Sequence, residues 1–321
     1  MSAEEVLLSR AKELGAVSAG IIEARRPNGL DRFYRWLDDG CNADMTYLSA
    51  RREAYADANA VLPGVRSMVV LAMPQEMESL AKSAFPCLED ESGASSGAVR
   101  GRIAFYAVSE DYHSRIRRTL KQLAQTHREL FPNGKCRGVV DTAPILEKDA
   151  ALTAGLGYIG KNTLLQCGDW GSRVNLAILL STEVLKPTPG QGGRFTSCGE
   201  CRKCIDACPT GALSESGLDA RRCLSYWLIE HRGAIPDDIA RCVGNRVFGC
   251  DVCQDVCPHN RLVKPVYINI KDIPEMTEDE FQTRFGNTPV SRCGLEGLKR
   301  NAEIILKGVQ KRTQHNSENI K

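Results

Sequence analysis

The sequence predicts a mixed α/β or α+β fold in two main domains, closed by a short C-terminal segment. Three observations predict it. Helix-period and strand-period apolar patterns alternate through the first part of the chain. A stretch with two prolines and three glycines interrupts them at residues 187–193. Cysteine density then rises sharply, most of it between residues 198 and 257. The expected division is an α/β domain over 1–189, a cysteine-rich module over 190–262 and a helical segment with a polar tail over 263–321.

The elements follow in order. Residues 4–14 have the spacing of a helix. Residues 17–22 and 67–73 are short apolar runs suited to buried strands, and 101–108 is a third strand candidate. An amphipathic helix comes next. Ile116, Leu120, Leu123 and Leu130 share one face, while Arg115, Arg117, Arg118 and Lys121 lie largely elsewhere. Val139 and Val140 suggest a strand end, and residues 174–180 a later strand. Residues 92–97 contain only Ser, Gly and Ala and read as a loop, and the polar residues from Lys311 on read as a frayed tail.

The 321 residues are 42% hydrophobic and 26% charged, an ordinary globular composition. A formal net charge of +2 neither implies nor excludes a nucleic-acid partner, because a local basic face can be balanced elsewhere. The first residues lack the basic flank and apolar run of a signal peptide, and no apolar stretch is long enough to span a bilayer. A soluble cytoplasmic protein is expected, and a monomer, since no coiled-coil seam is present. In that reducing compartment 14 cysteines point to metal or redox chemistry rather than to disulfides.

The strongest signal is Cys198-x2-Cys201-x2-Cys204-x3-Cys208-Pro209, the spacing of bacterial ferredoxins. Three thiolates in a tight loop wrap one cubane, and the following turn of helix carries the fourth to another. A second motif, Cys250-x2-Cys253-x3-Cys257-Pro258, lacks one cysteine, with Val247 at its place. Two [4Fe-4S] clusters take four cysteines each, so one ligand lies outside the motifs, and Cys223 and Cys242 are the candidates between them. The crossing rule assigns Cys257 to Cys198, Cys201 and Cys204, and leaves Cys208, Cys250, Cys253 and the outside ligand for the second cluster. Zinc is the competing reading, but zinc sites use cysteine pairs with longer spacers. The remaining cysteines, Cys41, Cys87, Cys136, Cys167, Cys242 and Cys293, are expected as small buried apolar side chains. The module is thus a ferredoxin-like electron-transfer unit, and the acceptor is expected in the first domain.

Gly155-Leu156-Gly157-Tyr158-Ile159-Gly160 matches a dinucleotide fingerprint, and with Lys161 nearly matches a P-loop. Neither reading holds. The preceding residues 147–154 look helical rather than strand-like, and Asn162 stands where a P-loop needs Ser or Thr. A tight turn passing close under a large flat ligand is the better reading.

Several segments together resemble the epoxyqueuosine reductase family. They are Asp141-Thr142-Ala143-Pro144-Ile145-Leu146-Glu147-Lys148 and Ala154 to Thr163, and Arg222-Cys223-Leu224-Ser225-Tyr226 leading to Ile229-Glu230-His231-Arg232-Gly233. Gly244 to Asp251 belongs with them, with shorter matches at Asp111-Tyr112-His113, Leu62-Pro63-Gly64 and Arg300-Asn301. The resemblance runs from near the N-terminus to about residue 305. It implies a cobalamin-binding α/β domain related to reductive dehalogenases, joined to the two-cluster module. It implies reduction of the epoxide of epoxyqueuosine at the tRNA wobble position to queuosine, by cob(I)alamin fed through the two [4Fe-4S] clusters from a low-potential electron donor. It assigns Cys223 to the second cluster, Asp141 as proton donor, Ser225 and Asp251 near the corrin ring, and Leu165 and Leu176 lining it.

An aspartic acid is ordinarily ionised at neutral pH, so we expect burial beside an apolar ring face to raise the pKa of Asp141. The competing role for Asp141 is capping the turn or helix that follows. Tyr55 and Ala58 depart from the family, which often carries Arg and Pro there, and Arg51 or Arg52 are the candidates to compensate. Arg221, Arg222, His231 and Arg232 are expected to meet the tRNA, with Tyr226 or Trp227 stacking on an extruded base. Arg115, Arg117, Arg118 and Lys121 form either a phosphate-binding or a merely solvated face. Two other functions share the cysteine signal, a reductive dehalogenase-like reductase of a small molecule and a plain electron carrier.

Overall fold

A computed structural model describes residues 1–75, 98–188 and 197–318, with side chains placed through residue 310. The expected loop at 92–97 lies outside the described residues, as do residues 189–193 of the linker and the boundary near 190.

Helix α1, Ala3–Glu13, starts at a capping box, Ser2 accepting from the Glu5 amide while Glu5 reaches back to the Ser2 amide. It buries Leu7 and Ala11, one turn apart. Strands β1 (Ser18–Glu23), β2 (Ser67–Pro74), β4 (Cys136–Val139) and β7 (Val174–Ser181) make one sheet in the order β1-β2-β7-β4. Every neighbouring pair is antiparallel. The alternation of helix and strand therefore does not build parallel βαβ units here.

The two central strands are buried on both faces, and strand periodicity sorts their side chains. Val69, Leu71 and Met73 of β2 and Ala177 and Leu179 of β7 pack with Leu7, Ile116, Leu120 and Leu123. Met68, Val70, Ala72, Ile178 and Leu180 pack on the opposite side with Ala150, Ala151, Leu156 and Leu165. The first face is covered by α1 and by the long amphipathic helix α4, Tyr112–Leu130. The second is covered by α5, Glu147–Thr153, and by the hairpin β5–β6, Tyr158–Ile159 with Leu165–Gln166. Helices α2 (Leu30–Asp38) and α3 (Thr46–Ala50) lie between β1 and β2 in the chain.

The strand expected over 101–108 is shorter and lies elsewhere. Strand β3, Arg100–Ile103, leaves the first sheet and pairs parallel with β10 (Arg246–Phe248) and antiparallel with β11 (Val266–Asn269). It stops because Asp251 takes the Phe105 amide at 2.7 Å, and Phe105–Ala107 becomes a 3₁₀ turn. A third core forms around this small sheet from Ile103, Leu228, Val247, Phe248, Ile268, Phe281, Phe285 and Leu298. Val247, at the place of the missing cysteine, is fully buried in that core.

The cysteine-rich stretch is built from short pieces. They are α6 (Lys203–Asp206), the hairpin β8–β9 (Leu213–Ser214, Gly217–Leu218), the wide turn Tyr226–Glu230, α7 (Asp237–Ala240) and α8 (Val252–Asp255). Helix α9, Glu278–Phe285, precedes the last helix α10, Gly294–Glu318. The backbone of the polar tail therefore continues a helix to Glu318 rather than fraying at Lys311. Among the described residues no helix is long and apolar enough to cross a membrane.

Candidate active site

The cysteines fall into two groups. Cys198, Cys201, Cys204 and Cys257 line one cavity of about 280 Å³ with Lys161, Asn162, Gln166, Lys203, Pro258 and His259. Cys208, Cys223, Cys250 and Cys253 are linked by their electrostatic influence on one another. Burial first, then the neighbouring thiols, pushes up the pKa of Cys223, Cys250 and Cys253, with Cys208 acting on Cys223 and Cys223 on both Cys250 and Cys253. Cys253 also feels Cys204, so the groups are neighbours. Cys242 packs against the same core as Cys250, its thiol donating to the Asp238 carbonyl at 3.4 Å.

Among the described residues no three His, Cys, Asp or Glu side chains converge on a point that would hold a single metal ion. Four thiols around a cavity fit a cubane, whose corners are spread, better than one zinc. Of the cysteines expected in the core, Cys167 and Cys293 are buried, but Cys41, Cys136 and Cys242 are only half-buried. Their places at element ends explain this, and Cys87 lies outside the described residues.

The glycine-rich turn closes over the first thiol group. It joins β5 to β6, and its Lys161 amide donates to Cys198 Sγ at 3.4 Å. The turn was expected to pass close under a large flat ligand; in the structure it borders the cavity lined by the four thiols. A Cβ on Gly157 would stand 1.9 Å from the Gln166 carbonyl oxygen, so only glycine lets the hairpin close.

Asp141 follows β4 and has φ of +58°, a conformation uncommon outside glycine. It does not cap the next helix, whose N-cap is Leu146. Its carboxylate instead meets the start of α4, accepting from the Tyr112 hydroxyl at 3.0 Å and facing His113 Nε2 at 3.2 Å. The other ring nitrogen of His113 lies 2.8 Å from Asp111. Two carboxylates on two ring nitrogens call for two N–H donors, an imidazolium. Hydrogen bonds to Asp111 and then Asp141 accordingly raise the His113 pKa to about 9.

The expected rise in the Asp141 pKa is not what the structure gives. The hydrogen bond from His113 is the largest influence, and with that from Tyr112 it outweighs burial and holds the carboxyl below its ordinary range. The side chain is 60% exposed, and the burial that does push the other way ranks second to the His113 hydrogen bond. Burial acts next door instead. It lifts Glu147, which accepts from the Asp141 amide at 2.7 Å, to about 8. Tyr106 stacks edge-on against Tyr112, and burial, then Asp251, pushes its pKa up. Arg51, one of the candidates to compensate for the family arginine, donates to the Thr142 carbonyl at 3.0 Å beside Asp141, whereas Arg52 is held by Asp38. Tyr55 and Ala58 line a separate cavity of about 410 Å³ with Ile22, Arg25, Ile145 and Asp149.

The residues expected near a corrin are spread over the two halves. Leu165 is buried in β6, and Leu176 is half-buried in β7. Ser225 stands beside Cys223 at the start of the wide turn. Asp251 is 3% exposed, 3.2 Å from the buried Arg173 and bonded to the Phe105 amide. Sequence reasoning missed His113 and Tyr112 as partners of Asp141. The Asp-Tyr-His run at a helix start was their only signal, since Asp111 is visibly the N-cap.

The basic residues are mostly engaged. Arg221 pairs with Asp219, Arg222 donates to the Thr210 carbonyl, Arg232 to Ile229 and Arg292 carbonyls, and His231 faces Asp44. Tyr226 is buried with its hydroxyl on Asp44, and Trp227 donates to the Arg221 carbonyl. On α4, Arg115 donates to Pro74 and Arg118 pairs with Glu110, while Arg117 and Lys121 are exposed.

Residues 56–142 match the family model for epoxyqueuosine reductase QueG, DUF1730, and residues 197–260 match a 4Fe-4S double cluster binding domain. An epoxyqueuosine reductase of Pseudomonas aeruginosa is 35% identical over 312 residues, covering 92% of this chain and 82% of its own. The chain belongs to the epoxyqueuosine reductase family. Another epoxyqueuosine reductase, from Cyclobacterium marinum, is 32% identical over 94% of this chain and 96% of its own. The solved epoxyqueuosine reductase of Streptococcus thermophilus superposes with a TM-score of 0.83 at 26% identity, over 99% of this chain and 86% of that one. An epoxyqueuosine reductase solved with an epoxyqueuosine-modified tRNA-Tyr stem loop gives 0.80 at 27% identity, over 94% of this chain and 80% of that one.

Proposed function

We infer that the protein reduces epoxyqueuosine at the tRNA wobble position to queuosine. The observation that carries this is the Asp111–His113–Asp141 cluster, open to solvent, in a chain of this family that also holds a double-cluster domain. The reaction breaks both C–O bonds of the epoxide, takes up two electrons and two protons, and releases the oxygen as water. Asp141, held ionised, faces the substrate and receives protons from His113, whose imidazolium is the store at neutral pH. Tyr112 keeps the carboxylate oriented. A Bacillus subtilis relative solved with its catalytic aspartate loop swung out of the active site, 26% identical with a TM-score of 0.79, supports a working loop of this kind.

Two [4Fe-4S] clusters are assigned to Cys198, Cys201, Cys204 with Cys257, and to Cys208, Cys223, Cys250 with Cys253. The two thiol groups support this set, and the influence of Cys223 on Cys250 and Cys253 supports Cys223 over Cys242. Cobalamin is the proposed acceptor, and when bound it supplies a strongly reducing cobalt that takes electrons one at a time from the clusters. Ala143, Ile145, Ile159, Val174 and Leu176, all half-buried, fringe the second core and present the apolar surface a corrin ring would cover. Leu165 supports that fringe from beneath, while Ser225 and Asp251 approach from the cluster side. We assign the acceptor to residues 1–189, electron delivery to 190–262 from a low-potential donor, and closure of the third core to 263–321.

Anaerobic turnover on tRNA bearing epoxyqueuosine, with cobalamin present or omitted, tests the reading by nucleoside mass spectrometry. Loss of one oxygen only with cobalamin is expected. No loss in protein verified to hold both clusters and cobalamin would refute it. In parallel, Cys223→Ser should lower the iron content toward one cluster while Cys242→Ser keeps it.

A further inference from the structure

Asn162 is 4% exposed and lines the cavity enclosed by Cys198, Cys201, Cys204 and Cys257. Its Oδ1 accepts from the Leu164 amide and from Gln166 Nε2, each at 3.2 Å. Those two donors decide which end of the amide is oxygen, because a flipped group would set its own N–H against them. The other end, Nδ2, carries two N–H donors and has no acceptor in the chain. A buried donor without an acceptor is costly, and native interiors rarely leave one. The turn that carries Asn162 also aims the Lys161 amide at Cys198 Sγ, so donors converge on this sulfur-lined space. Gly160 makes room for this side chain, since a Cβ there would lie 2.8 Å from Asn162 Oδ1.

We propose that the Asn162 side-chain amide donates hydrogen bonds to the sulfurs of the cluster held by Cys198, Cys201, Cys204 and Cys257, and thereby raises that cluster's reduction potential. The proposal rests on the ligand set given above. Its physics is electrostatic. Reduction adds one negative charge to the cluster, so a fixed N–H donor stabilises the reduced form more than the oxidised one. Asn162 is a positioning residue in this scheme, and it acts on electron transfer without touching the substrate. The same amide explains why a P-loop serine or threonine is absent after Lys161. A hydroxyl could not accept from both the Leu164 amide and the Gln166 side chain and still present two N–H groups.

The test is a redox titration followed by EPR on reconstituted wild-type and Asn162→Ala proteins, with iron and sulfide counted in each. The expected result is full iron in both and one of the two cluster signals shifted. At fixed potential its reduced-to-oxidised ratio should fall about tenfold, or about 59 mV for one electron. The other signal should not move. Unchanged midpoints for both signals with full iron would overturn the proposal. If Asn162→Ala loses its cluster, wild-type protein carrying side-chain ¹⁵N-asparagine decides, because pulsed EPR on the reduced cluster should show a ¹⁵N coupling, and its absence overturns the idea. Cys257→Ser separates the ligand set from the Asn162 hydrogen bond. If it leaves the shifted signal intact, the ligand set is wrong and the proposal falls with it.

Discussion

At the scale of residues, the proposed chemistry turns on where protons sit around Asp141. Part of this was legible. The resemblance assigned Asp141 as proton donor and included Asp111-Tyr112-His113 among its shorter matches. Their meeting could not be read, because the contact joins the end of β4 to the start of α4 across the fold, and no local pattern reports it. The sign of the pKa shift was hidden for the same reason, since it depends on a hydrogen bond and not on burial. Replacing Asp141 by Asn should lower single-turnover reduction by about 10²-fold or more, the range for a lost general acid, with both clusters still present by iron analysis. In the wild type, reduction should fall as the pH rises through about 9, where His113 gives up its stored proton. A His113→Gln protein should lose that descending limb in a pH profile, and an unchanged limb would assign it to another group.

At the scale of elements, the amphipathic helix and the strands at 17–22, 67–73 and 174–180 were readable because their periodicity is carried by side chains buried on known faces. Strand β3 was misread in length because its end is set by Asp251, which lies far along the chain and takes the Phe105 amide. The glycine-rich turn lies in a hairpin, and its neighbours were invisible without the register of Tyr158 against Gln166. Gly157→Ala should force that hairpin open and cost more than about 1 kcal/mol, as for residues placed where the backbone cannot accept them. The check is iron content together with the thermal midpoint, and the turn's role predicts that both drop. Asp111→Ala removes the N-cap of α4, about 1 kcal/mol by the usual range, and also frees one side of His113. A His113 pKa lowered toward 6.5, read by NMR, would separate the second effect from the first.

At the scale of the whole molecule, three cores share the load, and the sequence division into segments describes chain order better than packing. The first two cores flank the antiparallel sheet, while the third takes Ile103 from the first segment and Leu298 from the last. Stability should depend on alkaline pH in one direction. The His113 pKa is raised from 6.5 to about 9, so its contribution is complete below about 6.5 and lost as pH climbs through 9. Glu147 adds to the same trend, because its pKa is raised from 4.5 to about 8, and ionising it in the fold is penalised between those values. Urea midpoints measured between pH 6 and 10 should decline, and His113→Gln with Glu147→Gln should flatten the decline. The borrowed strand β3 has a consequence in time. Arg100–Ile103 leaves the ribosome on the order of 140 residues before the strand it pairs with at Arg246, a wait of roughly 7–30 s at ordinary rates of synthesis. During that wait it is a bare edge, so the last-made third of the chain completes the first-made third, and a ribosome that stalls before residue 246 releases a nascent chain with an open seam.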